Sequence, residues 1–286
     1  MGSQRPRYKE ARSGAGEFCD VASNCRRWNN LRRMRMEVLL TPEEQAGLSQ
    51  RDLGATTCVV FDALRATSVM TEALANGADA IAPVCEIREA VSLREANPDW
   101  LLAGERDGLK ITAALSGGPD FDLGNSPREF TRNAIEGRTI ITTTTNGTRA
   151  LMACQGAERV LIGSFLNLPA LIAELAKAAP EEVLLVCAGT GTQCASEDVL
   201  CAGAVVDGLI GEASGFELGD SALVARSYYR EEAGDERGES RIAHSSNGRR
   251  LLGMEELRDD VAFCGQIGIH HVIGELGEDG IVRRCS

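Results

Sequence analysis

Short apolar runs alternate with helical patterns along most of this chain, and each run ends in a polar cluster. That alternation narrows the fold more than any other feature. Strand, helix, strand is the signature of right-handed βαβ units around a largely parallel sheet. Its anchor is Thr57-Cys-Val-Val-Phe-Asp-Ala-Leu-Arg-Ala-Thr-Ser68. The apolar run predicts a buried strand over 57–61 whose carboxyl end delivers Asp62, the end at which open α/β sheets bind ligands. Arg65, Thr67 and Ser68 follow at once, and 66–76 reads as a helix closed by Asn76-Gly77. Such a turn gathers an acid, a guanidinium, two hydroxyls and free backbone N–H groups, a mixture suited to a metal ion beside a phosphate or sulfonate.

Further strands are predicted over 36–41, 79–84, 100–103, 138–143, 158–162 and 182–187. Helices are predicted over 86–96, 128–135, 148–154, 168–179 and 196–210. Beyond Gly211 the pattern becomes helical, over 219–232, 241–252 and 255–266, with a last strand at 271–273. The fold class expected from this pattern is α/β, with a largely parallel or mixed sheet and a helical C-terminal part. An α/β core over 36–212 would then precede a mainly helical 213–286. Residues 1–35, rich in arginine, read as a basic disordered leader outside this α/β region.

The polar clusters carry the functional signal. Gly104-Glu105 follows the strand at 100, and the long loop after it ends in Phe121-Asp122-Leu-Gly-Asn125-Ser126-Pro127, read as opening a helix that faces an anion. The strand at 138 runs into Thr142-Thr-Thr-Thr145-Asn146-Gly147-Thr148. The strand at 182 runs into Cys187-Ala-Gly189-Thr-Gly191, followed by Ser196-Glu197-Asp198 at a helix start. Each cluster alone has a stability explanation as a turn, a cap or a helix-dipole complement. Parallel strands aim their carboxyl ends at one side of a sheet, however, so Asp62, Glu105, Asp122, Glu197 and Asp198 are expected to converge with Arg65.

Composition excludes several classes. No apolar run approaches the roughly 20 residues needed to span a bilayer, and no signal-peptide core precedes the fold, so a cytoplasmic protein without membrane contact is expected. A net charge of −12 disfavours nucleic acid as a partner. Ten cysteines occur singly with no Cys-x-x-Cys pair, which gives no support to a zinc knuckle. No cysteine has an arginine six residues on, as a cysteine phosphatase needs. Leu64 stands where an aspartyl-nucleophile hydrolase needs its second Asp, and no Walker loop is present. Metal-assisted hydrolysis remains, with Mg²⁺ held by carboxylates and water as nucleophile. A non-catalytic binder of small anionic metabolites would use the same donors.

Taken together, the motifs resemble the 2-phosphosulfolactate phosphatase family. The matching segments are Asp62 to Ser68, Gly104-Glu105, Gly124 to Pro127, Thr144 to Thr148, Cys187 to Gly189 and Glu197 to Ala204, in the family's order over roughly residues 36 to 270. The resemblance implies a three-layer α/β/α fold and Mg²⁺-dependent hydrolysis of a phosphoric monoester, 2-phospho-3-sulfolactate, to 3-sulfolactate and phosphate, a step towards coenzyme M. It is compatible with a homodimer. Carried onto this sequence, it makes Asp62, Arg65 and Glu105 the expected catalytic residues, and Asp62, Glu105, Glu197 and Asp198 the expected metal ligands. The small anionic phosphorylated substrate is expected to meet Thr67, Ser68, Asn125, Ser126, Thr145, Asn146, Gly147, Thr148 and Gly189. A different phosphorylated hydroxy acid is the alternative substrate.

Overall fold

A computed structural model describes residues 34–211, 215–233 and 241–285. The leader read over 1–35 therefore lies outside the described residues, except that Met34 and Arg35 already belong to the first strand.

The strands are β1 (Met34–Leu39), β2 (Thr56–Phe61), β3 (Ala80–Pro83), β4 (Leu101–Arg106), β5 (Leu109–Lys110), β6 (Thr139–Thr143), β7 (Arg159–Gly163), β8 (Glu182–Cys187), β9 (Phe216–Leu218), β10 (Gly274–Leu276) and β11 (Val282–Arg284). The first helices are α1 (Pro42–Ala46), α2 (Ala66–Ala75), α3 (Ile87–Ala96), α4 (Ala113–Ser116), α5 (Arg132–Ile135) and α6 (Gly147–Ala153). They continue with α7 (Leu168–Ala178), α8 (Ser196–Ile210), α9 (Asp220–Ala233), α10 (Ser246–Leu252) and α11 (Arg258–Cys264). The three-layer α/β/α class is as expected, with one mixed sheet in the order β5-β4-β6-β3-β11-β10-β7-β2-β8-β1-β9.

Side-chain alternation assigns the two faces. Val59 and Phe61 of β2 and Val183 and Leu185 of β8 bury against α7, α8 and α9. Their neighbours Cys58, Val60, Leu184 and Val186 bury on the other side against α2 and α6. Strands sealed on both faces must be apolar at every position, which is why β2 and β8 were legible as continuous runs. No helix among the described residues is long and apolar enough to cross a membrane.

Three features differ from expectation. The segment beyond Gly211 is not purely helical: β9 pairs with β1, while β10 and β11 form an antiparallel hairpin inserted inside the sheet. The strand expected at 271–273 is β10, which starts at Gly274, and a further strand, β11, follows it. The helix expected over 128–135 is a 3₁₀ turn at Pro127–Glu129 followed by the single turn α5, so no long helix opens at Ser126.

The inserted hairpin also changes the direction of the sheet. β7 is antiparallel to β10, β10 to β11 and β11 to β3, so β3 runs opposite to β7. The sheet is thus two internally parallel blocks of opposite sense, β4-β6-β3 and β7-β2-β8-β1-β9. A flat sheet would hold the carboxyl ends of these blocks on opposite edges. They meet nonetheless, because Gly147 beyond β6 lies against Asp62 beyond β2. The sheet must turn between the blocks, where the hairpin is joined to either side by single register pairs, Glu275 with Leu161 and Val282 with Ile81.

Candidate active site

Where the chain leaves β2, local hydrogen bonds fix Asp62. Its backbone N–H donates to Thr67 Oγ1 at 3.0 Å, Thr67 N–H returns to Asp62 O at 3.0 Å, and Ala66 N–H donates to Asp62 Oδ1 at 3.1 Å. Ser68 Oγ donates to Ala63 O at 2.8 Å and completes the turn. Oδ2 of Asp62 makes no hydrogen bond to any described residue. A side chain at position 147 would put its Cβ 2.7 Å from that oxygen and 2.6 Å from Ala66 Cβ, so the close approach of the two blocks requires Gly147.

Glu105, at the end of β4, is fully engaged. Oε1 accepts from the Thr145 N–H and hydroxyl, both at 2.9 Å, and Oε2 accepts from Gly108 N–H at 2.7 Å. Asp198 is engaged in the same manner, accepting from Ala63 N–H at 2.8 Å and from Gly189 N–H at 3.1 Å, and so ties the β2 turn to the β8 turn. Glu197 differs. Its Oε1 accepts from Asn247 Nδ2 at 2.7 Å, while its buried Oε2 has no hydrogen-bond partner among the described residues.

Arg65 is almost wholly buried, donating to Asp260 Oδ2 at 2.7 Å and to Gly108 O at 2.8 Å. Asp260, on α11 and fully buried, also accepts from Ser126 Oγ at 2.6 Å and from Arg128 Nε at 2.8 Å. This one carboxylate joins the C-terminal helices to the β2 turn and to the end of the long loop.

These turns enclose a cavity of about 260 Å³ lined by Asp62, Leu64, Arg65, Glu105, Asp107, Gly108, Asn125, Thr145, Asn146, Gly189, Thr190, Glu197, Asp198, Asn247 and Arg250. Five acids and only two arginines line it. Burial pushes the Asp62 carboxyl up to about 7, against the pull of the Ala66 N–H, with Glu105 and Glu197 adding to the rise and Arg65 opposing it. Burial likewise holds the Asp198 carboxyl well above the usual carboxylate range, reinforced by Glu197 and Asp62.

Of the residues expected at the site, Asp62, Arg65, Glu105, Asn125, Thr145, Asn146, Gly189, Glu197 and Asp198 reach the cavity. Thr67, Ser68, Ser126, Gly147 and Thr148 stand behind its wall, and Thr148 donates to Thr144 O at 3.0 Å. Asp122, expected to converge with them, instead accepts from Leu102 N–H at 2.7 Å and pairs with Arg94. The sequence reading passed over Asp107, Gly108, Thr190, Asn247, Arg250 and Asp260. Thr190 lay inside a cluster already singled out. Asn247, Arg250 and Asp260 sit on short C-terminal helices with no pattern to separate them from solvent-facing residues.

The donor set bears on a metal ion. Among the described residues no three His, Cys, Asp or Glu side chains are grouped to hold one ion. Two carboxylate oxygens nevertheless remain available at the cavity, Asp62 Oδ2 and the orphaned Glu197 Oε2. That fits Mg²⁺, which usually keeps several waters and is held by one or two carboxylates plus substrate phosphate. It also fits the charge, since an acid-rich cavity admits an anion only when a cation accompanies it.

Comparison with known proteins identifies the family. The family model for 2-phosphosulpholactate phosphatase matches residues 40–279. A protein of Symbiobacterium thermophilum named probable 2-phosphosulfolactate phosphatase is 40% identical over 239 residues, covering 81% of this chain and 95% of the relative. Its namesake in Caldanaerobacter subterraneus subsp. tengcongensis is 38% identical over 249 residues, 86% of this chain and 97% of the relative. The one in Thermotoga petrophila is 42% identical over 210 residues, 73% and 83%. With the match running from the end of β1 to past β10, the chain belongs to the 2-phosphosulpholactate phosphatase family.

Proposed function

We propose that this protein is a Mg²⁺-dependent phosphatase that hydrolyses 2-phospho-3-sulfolactate to 3-sulfolactate and phosphate, a step of the kind used in coenzyme M biosynthesis. The observation that carries the reading is the cavity in which five acids outnumber two arginines while Asp62 Oδ2 and Glu197 Oε2 stay unengaged. These two oxygens would hold the ion, with Glu105 and Asp198 completing the negative field around it. When bound, Mg²⁺ supplies positive charge to the phosphoryl oxygens.

The chain's own groups do the rest. Arg65, fixed by Asp260 and Gly108 O, offers a guanidinium that needs no rearrangement to meet an anion. Asn125, Thr145 and Asn146 line the cavity and would orient the ester. Glu105 and Asp198 hold the surrounding turns through their backbone hydrogen bonds, so the donors are set before substrate arrives.

The test is phosphate release from 2-phospho-3-sulfolactate with and without Mg²⁺. Release that depends on the ion is expected. Binding without release would make the protein an anion binder instead. A panel of other 2-phospho-hydroxy acids separates the preferred substrate from its analogues.

A further inference from the structure

The two arginines of the cavity stand on the same turn. Arg65 donates to Gly108 O at 2.8 Å, and Arg250 Nη1, reaching from α10, donates to Asp107 O at 3.0 Å. Gly108 adopts a φ of +84°, and a Cβ there would lie 3.1 Å from Arg250 Nη1, so this residue lets the Arg250 guanidinium approach the loop. Their situations differ. Arg65 is buried and paired with Asp260, whereas Arg250 is exposed at the cavity and has no carboxylate within ion-pair distance among the described residues. A guanidinium carries five N–H donors, and the contact with Asp107 O occupies one nitrogen, leaving a fork for a planar or tetrahedral oxyanion. One helical turn before Arg250, Asn247 holds Glu197 and Thr190 Oγ1, so α10 lies across both the acid-rich end and the arginine end.

Asp62 and Glu197 bring the unengaged carboxylate oxygens to the cavity. Arg65 and Arg250 meet at the Asp107–Gly108 turn, whose Gly108 N–H already satisfies Glu105.

We propose that Arg250, contacting the same Asp107–Gly108 turn as Arg65, forms a subsite for a second acidic group of the substrate, a sulfonate or carboxylate, while the phosphoryl group meets the ion held by Asp62 and Glu197. This rests on the phosphatase reading and deepens it: Arg250 sets the preference for the acidic tail of the ester.

The experiment compares kcat/KM for 2-phospho-3-sulfolactate, for 2-phospholactate, which lacks the sulfonate, and for glycerol 2-phosphate, which lacks both acidic groups. It uses the full chain with Mg²⁺. In Arg250→Gln the preference for the anionic-tailed esters over glycerol 2-phosphate is expected to fall about 10-fold or more, with Arg250→Lys intermediate because it keeps charge but loses the fork. A fall confined to 2-phospho-3-sulfolactate assigns the sulfonate to Arg250, and a fall shared by 2-phospholactate assigns the carboxylate. An unchanged preference in Arg250→Gln overturns the proposal. If the wild-type protein cleaves none of the three, the phosphatase reading fails separately, and calorimetric titration with 3-sulfolactate decides the subsite. Binding weakened about 10-fold or more by Arg250→Gln supports it; equal binding, or none to wild type, overturns it.

Discussion

The two parallel blocks contribute differently to one cavity. The block around β2 and β8 supplies Asp62 and Glu197, each with a carboxylate oxygen left unengaged. The block around β4 and β6 supplies Glu105, whose two oxygens accept three hydrogen bonds from Thr145 and Gly108. Asp62 and Glu105 are both acids buried at the end of a strand, so residue type and burial do not distinguish them. Hydrogen-bond satisfaction does. A carboxylate surrounded by N–H donors braces a turn, and one left short of donors is available for a cation.

That contrast can be broken first at its joint. Asp260→Ala leaves the Arg65 guanidinium buried without its counter-charge and should cost about 3–5 kcal/mol of stability. A chemical-denaturation curve measures it, and a wild-type-like midpoint would show that Asp260 does not hold the blocks together.

Next in size is Asp62→Asn, expected to lower Mg²⁺-dependent kcat/KM by about 10²-fold or more. Its melting temperature without the ion should stay near or above wild type, since a poorly compensated buried charge has gone. Near-normal turnover would place the chemistry elsewhere.

Glu105→Gln sharpens the comparison from the other block. An amide NH₂ would face the Gly108 N–H, two donors opposed, costing about 1–3 kcal/mol of stability. The loss should appear in denaturation with or without Mg²⁺, whereas the Asp62 effect depends on the ion.

The last test is the pH dependence of the metal-free protein. A carboxyl whose folded-state pKa lies above its unfolded value binds more protons folded than unfolded. Its contribution to stability therefore declines as pH rises between about 4 and about 7. Asp62 and Asp198 both act in this direction, so their share of the melting temperature should fall by a few degrees towards neutral pH. Mg²⁺ should restore more stability at pH 8 than at pH 5.5. A metal-free protein in which Asp62→Asn leaves the pH slope unchanged would remove Asp62 as its source.

The candidate site was only half legible in the sequence. β2 and β8 announce themselves as apolar runs, and the residue after such a run is at a strand end wherever the strand sits in the sheet. That placed Asp62 correctly at a turn, whereas Glu105 lies inside the end of β4, and the helix expected at Ser196 begins at that residue. The reason given for their convergence was incomplete. It assumed a common edge, whereas β10 and β11, three residues each and too short for a period-2 signal, split the sheet into blocks of opposite sense. Asn247, Arg250 and Asp260 were passed over because a polar residue on a short helix looks the same whether it faces water or a cavity.

By itself, then, the sequence determined which segments are strands sealed on both faces and which acids and donors stand at their ends. Those are local consequences of hydrophobic patterning and turn chemistry. Only the tertiary structure decided the direction of the blocks, the meeting of Gly147 with Asp62, and which carboxylate oxygens found N–H partners. Each depends on contacts between residues distant in the chain, such as Asp260 with Arg65, and no local pattern records whether such a pair will form.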